Sequence, residues 1–286
     1  MAIAYESSAS ANSNTSPLTI TKPSGLSEGD LMVAHVSANS GNAWTDPSGW
    51  LEVAALTNSA DRDSSVYVKV ATSADAAASD FDFVNGGSTM ELTGTLFRFS
   101  GNFNSTDSIV SSDADTNNGG TTFTGGVTPQ NGGAVLMLCC HKLASPSGGA
   151  EFSGWAVTTD DPTWTEITDR EYDSAFKTGS AWATRSSTNA TGNYTISTSN
   201  SGSGTGATHA YILMIEEAAN VNVTPAVLSL TASIQEPTIS AGAIVTIGSA
   251  LDLTTTINAP TIGTQVNDWN FEAKASDAVW TIETQN

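Results

Sequence analysis

The peptide "DPSGWLEV" at residues 46–53 returns, one residue shorter, as "DPTWTEI" at residues 161–167. Both copies carry Asp-Pro, a short turn, a Trp, a Glu and a β-branched residue. Asp, Pro and Gly favour turns, whereas β-branched and aromatic residues favour strands. The repeat therefore predicts that two copies of one β module follow each other along the chain.

The segments around the two copies support this interpretation, because apolar or alternating runs occur in the same order in each half. The runs are LMVAHV (31–36), SVYVKVA (65–71), FDFV (81–84) and TLFRFS (95–100), followed by AVLMLCCH (134–141), SAWATR (180–185), NYTIST (193–198) and HAYILMI (209–215). Clusters of Gly, Pro, Asn and Ser separate them, and helical periodicity is nearly absent. We predict an all-β fold with two related antiparallel β-sandwich modules of jelly-roll or Ig-like type.

The change of composition along the chain predicts three regions. The first module is expected over residues 1–108, the second over 109–219, and a small β-rich repeat region over 220–286. Within the modules, the Ser/Asn/Gly-rich stretches 1–16 and 111–126 read as connections rather than strands.

Short repeats dominate the last region. "TPAVLSLTASIQEPTIS" (224–240) is echoed by "GSALDLTTTINAPTIGT" (248–264), and a Trp-x-[Phe/Ile]-Glu pattern then occurs twice. Such units are too short to bury their own apolar side chains, and an exposed aromatic patch is a liability in a monomer. The predicted assembly interface consists of Leu228, Leu230, Leu251, Leu253, Trp269, Phe271, Trp280 and Ile282. The alternative is a small strand pair that docks on the chain's own sandwich.

Charge limits the choice of partners. The chain has 29 acidic and 9 basic residues and a formal net charge of −20. The nine basic residues are spread singly along the sequence, so there is no basic cluster for phosphates. This argues against binding to nucleic acid or to an anionic membrane. The longest apolar runs are too short to cross a bilayer, and the first residues show no secretory signal, so we expect synthesis in the cytoplasm.

The residues that usually carry chemistry have a structural interpretation. His35, His141 and His209 lie in or beside apolar strands without a HExxH or CxxC pattern, and we predict structural roles for them. Cys139 and Cys140 are neighbours, so on a strand they point to opposite faces and cannot easily form a disulfide with each other. We predict that both are small buried apolar residues.

Carboxylates offer two further candidate sites. Four pairs have i, i+2 spacing, which places both side chains on one face of a strand: Asp61/Asp63, Asp80/Asp82, Asp113/Asp115 and Glu171/Asp173. Calcium coordination is an alternative to solvated acids at these pairs, and no other cofactor is predicted.

Glu52 and Glu166 could supply the two carboxylates of a glycosidase. They occupy equivalent positions of the repeat, however, and residues repeated with a module usually serve that module. We therefore predict no enzymatic activity, and we predict that Trp50 and Trp164 anchor the two sandwich cores.

The strings "EGDLMVA" (28–34), "PSGW" (47–50), "VYVKVATSADA" (66–76) and "FRFSG" (97–101) resemble a β-sandwich family that occurs in structural proteins of tailed phages and in some bacterial surface proteins. The resemblance covers about residues 17–217. The terminal repeats are similar to C-terminal repeats of phage virion and fibre proteins.

This resemblance implies a virion component made in the host cytoplasm, such as a head decoration, head fibre or tail-associated protein. It also implies a homo-oligomer, with a trimer as the first expectation, that docks on other virion proteins. The acidic charge would repel packaged DNA and favours an exterior position. The rival hypotheses are an adhesin that binds host-surface glycans and a glycan-degrading enzyme.

Overall fold

Sixteen β-strands and one short helix make up the part of the chain that the computed structural model describes, namely residues 3–39, 41–58, 62–87, 91–103, 109–117, 121–130, 133–142, 152–172, 176–198 and 208–217. The first half contains β1 (Ala4–Ser13), β2 (Leu18–Thr21), β3 (Leu31–Ala38), β4 (Trp44–Thr45), β5 (Leu51–Asn58), β6 (Arg62–Val70), α1 (Ser73–Ala77), β7 (Asp80–Asn85) and β8 (Leu92–Ser100). The second half contains β9 (Ile109–Asn117), β10 (Thr122–Phe123), β11 (Gly133–Lys142), β12 (Phe152–Val157), β13 (Thr165–Tyr172), β14 (Phe176–Arg185), β15 (Tyr194–Thr198) and β16 (Thr208–Ile215).

The two halves have the same topology. The first half forms a five-stranded sheet of order β1-β8-β3-β6-β5 and a three-stranded sheet of order β2-β7-β4. Adding eight to each strand number gives β9-β16-β11-β14-β13 and β10-β15-β12, which are the two sheets of the second half. All strand pairs are antiparallel, so the predicted all-β, antiparallel sandwich fold is confirmed.

Each half buries apolar side chains between its large and its small sheet. The first sandwich core comprises Leu18, Ile20, Leu26, Met32, Ala34, Val36, Ala38, Trp44, Tyr67, Ala71, Phe83, Leu92 and Leu96. The second sandwich core comprises Phe123, Val127, Val135, Met137, Cys139, Phe152, Trp155, Val157, Ala181, Ala183, Tyr194, Ile196, Ala210, Ile212 and Met214.

A third core joins the halves, because the two five-stranded sheets pack against each other. This inter-sheet core contains Ile3, Leu31, Val33, Val66, Val68, Phe97, Phe99 and Phe103 from the first half and Ala134, Leu136, Leu138, Tyr211, Leu213 and Ile215 from the second. The described residues therefore form four layers, small sheet, large sheet, large sheet and small sheet. Strands β3 and β16 are buried along their whole length, since both of their faces are covered.

Two stretches predicted as connections are strands. Ala4–Ser13 forms β1 and Ile109–Asn117 forms β9, the edge strands next to β8 and β16. These strands have no apolar pattern. Backbone hydrogen bonds to a buried neighbouring strand hold them in the sheet, and such bonds do not require apolar side chains. Side-chain bonds help at β1, where the hydroxyls of Ser10 and Thr95 lie 2.9 Å apart. The predicted boundary at 108/109 lies at the edge of a gap in the described residues, and the boundary at 219/220 lies outside them. Both stay predictions, as does the structure predicted for 220–286.

The repeated peptide has a structural role at the edges of the large sheets. Its β-branched residues, Val53 on β5 and Ile167 on β13, are the extra residues of bulges against β6 and β14. Both side chains pack against the inter-sheet core, and the tryptophans that precede them pack against the sandwich cores. The other two edge strands, β1 and β9, also carry register shifts. Bulges of this kind hinder further strands from adding to a sheet edge.

Two glycines with positive φ give a matched stability test. Gly29 has φ +89°, and a Cβ added there would meet no other atom within 4 Å, whereas a Cβ at Gly192, with φ +67°, would collide with Thr158 Oγ1. We expect Gly29→Ala to destabilise the fold by about 1 kcal/mol and Gly192→Ala by roughly 2–4 kcal/mol, because only the second adds a clash to the backbone strain. Urea unfolding of both variants measures the difference, and equal losses would contradict the described turn at Gly192.

Candidate functional site

The predicted assembly interface lies outside the described residues. This holds for all of its members, Leu228, Leu230, Leu251, Leu253, Trp269, Phe271, Trp280 and Ile282. Their proposed role in assembly stays a prediction.

The two glutamates of the repeat do not resemble a glycosidase pair. Glu52 lies on β5 and Glu166 on β13, which are edge strands of different sheets. Both side chains are exposed.

The described side chains of the carboxylate pairs accept hydrogen bonds from neighbouring hydroxyl groups, and one of them, Asp63, is buried. Asp80 accepts a hydrogen bond from Ser79 at 2.6 Å, and Asp82 accepts one from Thr19 at 2.5 Å. Among the described residues there is no group of three or more His, Cys, Asp or Glu side chains placed to hold a metal ion. Asp61 and Asp173, and the side chains of Asp113 and Glu171, lie outside the description, so calcium at those pairs stays a prediction.

The repeated tryptophans lie at the rims of the sandwich cores rather than at their centres. Trp50 is half-buried, and its ring packs edge-on against Phe81 and Phe83 at centroid distances of 5.8 and 5.5 Å. Lys69 Nζ lies 6.0 Å from the Trp50 ring centroid, and Leu51 beside it is 46% exposed. We call Trp50, Leu51, Lys69 and Phe81 the aromatic rim. Trp164 is also half-buried and donates from Nε1 to Asp161 at 2.9 Å.

The N-terminal capping residues of α1 fix the position of Lys69, the lysine of the aromatic rim. Thr72 is the N-cap, and Asp75 completes a capping box with it. Lys69 Nζ donates to Asp75 Oδ1 at 2.7 Å. Burial acts to raise the pKa of Asp75, but the hydrogen bonds from Lys69 and Thr72 outweigh it and leave the pKa below its ordinary value. The lysine is therefore tied to α1 rather than free to swing away from Trp50.

The most unusual feature of the described residues is a polar cluster buried inside the inter-sheet core. On strand β3, the side chains that face the second half change from apolar to polar along the strand. Leu31 and Val33 face it at one end, and His35 and Ser37 face it at the other. The same alternation on β6, β14 and β16 brings further buried polar side chains to that end. The polar cluster consists of His35, Ser37, Arg62, Ser64, Thr178, Ser180, His209 and Tyr211.

Ser64 of the first half is the centre of the cluster. Its Oγ lies 2.7 Å from His209 Nδ1 and 2.5 Å from the Tyr211 hydroxyl of the second half. The Tyr211 hydroxyl also donates to the Ser64 carbonyl at 2.8 Å. These three bonds join the halves across the inter-sheet core. His35 packs edge-on against the Tyr211 ring at 5.5 Å.

One arrangement of protons uses every donor in this network. His209 Nδ1–H donates to Ser64 Oγ, the Ser64 hydroxyl donates to the Tyr211 oxygen, and the Tyr211 hydroxyl donates to the Ser64 carbonyl. In this arrangement the imidazole is neutral and its Nε2 carries only a lone pair. Nε2 is buried and has no hydrogen-bond partner among the described residues. Protonation of His209 would keep these three bonds but would add a buried N–H at Nε2 without an acceptor among the described residues.

Burial controls the ionisation of the cluster. Desolvation lowers the pKa of His35 to about 3. Desolvation, followed by repulsion from Arg62 and His35, lowers the pKa of His209 to about 3. Burial also raises the pKa of Tyr211 well above its ordinary value. At neutral pH all three side chains are therefore uncharged.

The two cysteines lie on opposite faces of β11 and are free, as their adjacency predicts. Cys139 belongs to the second sandwich core, where burial raises the pKa of its thiol well above the ordinary value. Cys140 is buried on the opposite face, in register between Thr178 and His209. The side chain of His141 lies outside the described residues.

Ser64→Ala tests the network. The change leaves His209 Nδ1 and part of the Tyr211 hydroxyl without a partner in a buried place, so we expect a loss of about 2 kcal/mol of unfolding free energy. Ser100→Ala is the control, because the Ser100 hydroxyl donates to Glu6 at the surface, and we expect a change within about 0.5 kcal/mol. Urea unfolding at pH 7 measures both. A Ser64→Ala variant as stable as the control would show that the network contributes nothing.

Sequence reasoning singled out His35 and His209 one at a time, and it missed Ser64 and Tyr211. A signal existed in the sequence for three of them, because His35, His209 and Tyr211 lie in otherwise apolar strands, whereas Ser64 lies among other polar residues at the start of β6. Their meeting depends on how the two halves pack, which no local pattern indicates.

The chain matches no protein-family model, no curated protein and no solved structure. Within the described residues, no helix has the length and the apolar character needed to cross a membrane.

Proposed function

We propose that the chain is a non-enzymatic structural protein of a tailed-phage virion, located on the exterior as a head decoration, head fibre or tail-associated protein. The observation that carries the proposal is the inter-sheet core, which turns two duplicated sandwiches into one body. Such a body suits a load-bearing or spacing role.

Two features of the sequence give further support. The resemblance of residues 17–217 to a family of virion sandwiches implies the particle setting. The net charge of −20 repels DNA and favours an outer surface. In this proposal the body of β1–β16 is the displayed part, and residues 220–286 assemble into a homo-oligomer, a trimer as first expectation, that docks on other virion proteins.

Measurement of mass in solution tests the assembly step. We expect the full chain to sediment as an oligomer, and we expect Trp269→Ser/Trp280→Ser and a chain that ends at Glu217 to sediment as monomers. Leu51→Ser, which changes an exposed residue of the body, is the control and should leave the oligomer intact. A monomeric full chain, or a double variant that assembles normally, would contradict the proposal.

The second candidate is an adhesin that binds host-surface glycans, and the aromatic rim favours it. A half-buried tryptophan beside an exposed leucine and a lysine offers a face on which a sugar ring can stack. A glycan array probed with the full chain separates the candidates. Binding that Trp50→Ala abolishes and Trp164→Ala preserves would favour the adhesin, and the absence of binding would favour the structural role.

A further inference from the structure

The polar cluster occupies one end of the inter-sheet core. His35 and Ser37 lie near the end of β3, while Arg62, Thr178 and His209 lie near the starts of β6, β14 and β16. The opposite end of the inter-sheet core is apolar, with Phe97, Phe99, Leu213 and Ile215 among its members. The interface between the halves therefore has one end held by apolar contact and one end held by a neutral hydrogen-bond network.

Protonation of His209 is unfavourable in the folded protein for two reasons. The new N–H would form at Nε2, which is buried and has no acceptor among the described residues. The positive charge would also lie near Arg62, which is fully buried on the facing strand β6. A proton on His35 is disfavoured by burial, although the Ser37 hydroxyl lies 3.4 Å from its Nε2.

The other ionisable groups that the structure describes around the two histidines do not relieve this charge. Tyr211 is neutral in acid, and Arg62 stays positive. Asp115 on β9 accepts hydrogen bonds from Thr124. The carboxylate that acts electrostatically on Tyr211 is Asp63. Burial raises its pKa, so it loses its negative charge early as the pH falls. It also points to the opposite face of β6, where Thr57 donates to it at 3.1 Å.

Repulsion over the whole chain cannot be the main effect of mild acid. The sequence pI is about 4.1, so the net charge falls towards zero over the pH range in which the histidines begin to bind protons. General electrostatic repulsion weakens there, whereas the local cost of two buried imidazolium ions grows. Acid therefore acts selectively on the polar end of the inter-sheet core.

We propose that the polar cluster is a proton-operated latch, in which protonation of His35 and His209 opens the interface between the two halves at its polar end before either sandwich core opens. The apolar end keeps the halves together while the polar end admits water. The opening is a conformational response to acid built into the body of the protein, independent of what residues 220–286 do.

The adjacent cysteines report on the two events separately. Cys140 faces the inter-sheet core beside His209, and Cys139 faces the second sandwich core. The full-length variant Cys139→Ala keeps only the interface thiol, and Cys140→Ala keeps only the sandwich thiol. Each variant is incubated from pH 7 down to pH 3.5 with a dipyridyl disulfide, a reagent that reacts with thiols in acid, and the labelled fraction is followed with time.

We expect Cys140 to become reactive at a higher pH than Cys139. Below about pH 6.5, the opening equilibrium rises by up to roughly tenfold per pH unit for each imidazole that must bind a proton. In the Cys139→Ala background, His35→Gln/His209→Asn keeps side chains that form hydrogen bonds but removes both titrating groups. It should shift the labelling of Cys140 to lower pH, towards that of Cys139.

Two results would overturn the latch. Labelling of both cysteines over the same pH range would show that the body opens all at once. An unchanged Cys140 profile in the double-histidine variant would show that other groups control the opening. Circular dichroism at pH 7 identifies any variant that has not folded. The comparison of the two single-cysteine chains does not depend on the histidine variant.

Discussion

Replacement of Phe97 by alanine is expected to destabilise the whole body by about 3–5 kcal/mol, the range for deleting a large buried aromatic side chain. Phe97 is fully buried on β8 and faces the inter-sheet core. The cavity would lie between two five-stranded sheets, and neither sheet can close it without shifting its own sandwich. The effect should therefore reach both halves.

Tryptophan fluorescence and thiol labelling during urea unfolding measure this effect. We expect Phe97→Ala to lower the urea concentration at which Cys139, in the second half, becomes reactive, although Phe97 belongs to the first half. Val84→Ala is the control, since Val84 is 46% exposed on β7. If the variant unfolds the first half alone and leaves Cys139 protected as in the unchanged chain, the halves are independent and the described inter-sheet core is wrong.

The unfolding free energy is expected to fall steeply between pH 6.5 and pH 3. His35 and His209 have folded-state pKa values of about 3, below their ordinary value of 6.5. The unfolded chain therefore binds protons that the folded chain refuses, and stability decreases as the pH falls through this window. At pH 4 the loss is roughly 3 kcal/mol for each imidazole.

Urea unfolding at pH 7, 5 and 4 measures this slope, with His35→Gln/His209→Asn as the comparison. The double variant should lose much less stability between pH 7 and pH 4 than the unchanged chain, even if it is less stable at pH 7. Parallel pH profiles for the two proteins would contradict the burial of uncharged imidazoles. This test concerns total stability, so it stands apart from the order in which the two cysteines become reactive.

The repeated order of strands could be predicted from the sequence because every repeated run has a strong local pattern. All eight apolar runs correspond to strands, namely β3, β6, β7, β8, β11, β14, β15 and β16. Strands β1 and β9 were missed because Ser, Asn and Ala at a sheet edge leave no such pattern. Their position depends on backbone hydrogen bonds to β8 and β16, which any sequence can form.

The packing of the two large sheets against each other also has a counterpart in the sequence pattern. The run AVLMLCC in β11 is continuously apolar. A strand with one solvent-exposed face alternates between apolar and polar residues, so both faces of β11 must be covered. The identity of the cover could not be read from the run itself. Ser64 and His209 are 145 residues apart in sequence, and only the relative placement of two complete sheets brings them within hydrogen-bond distance.

Covalent continuity has a consequence for the inter-sheet core. Two separate subunits that met through such a face would part on dilution, because their association obeys mass action. Here both faces belong to one polypeptide, so each meets the other at a high effective concentration that the amount of protein in solution does not change. The body should therefore melt at the same temperature in nanomolar and micromolar samples, and a single released copy should remain folded.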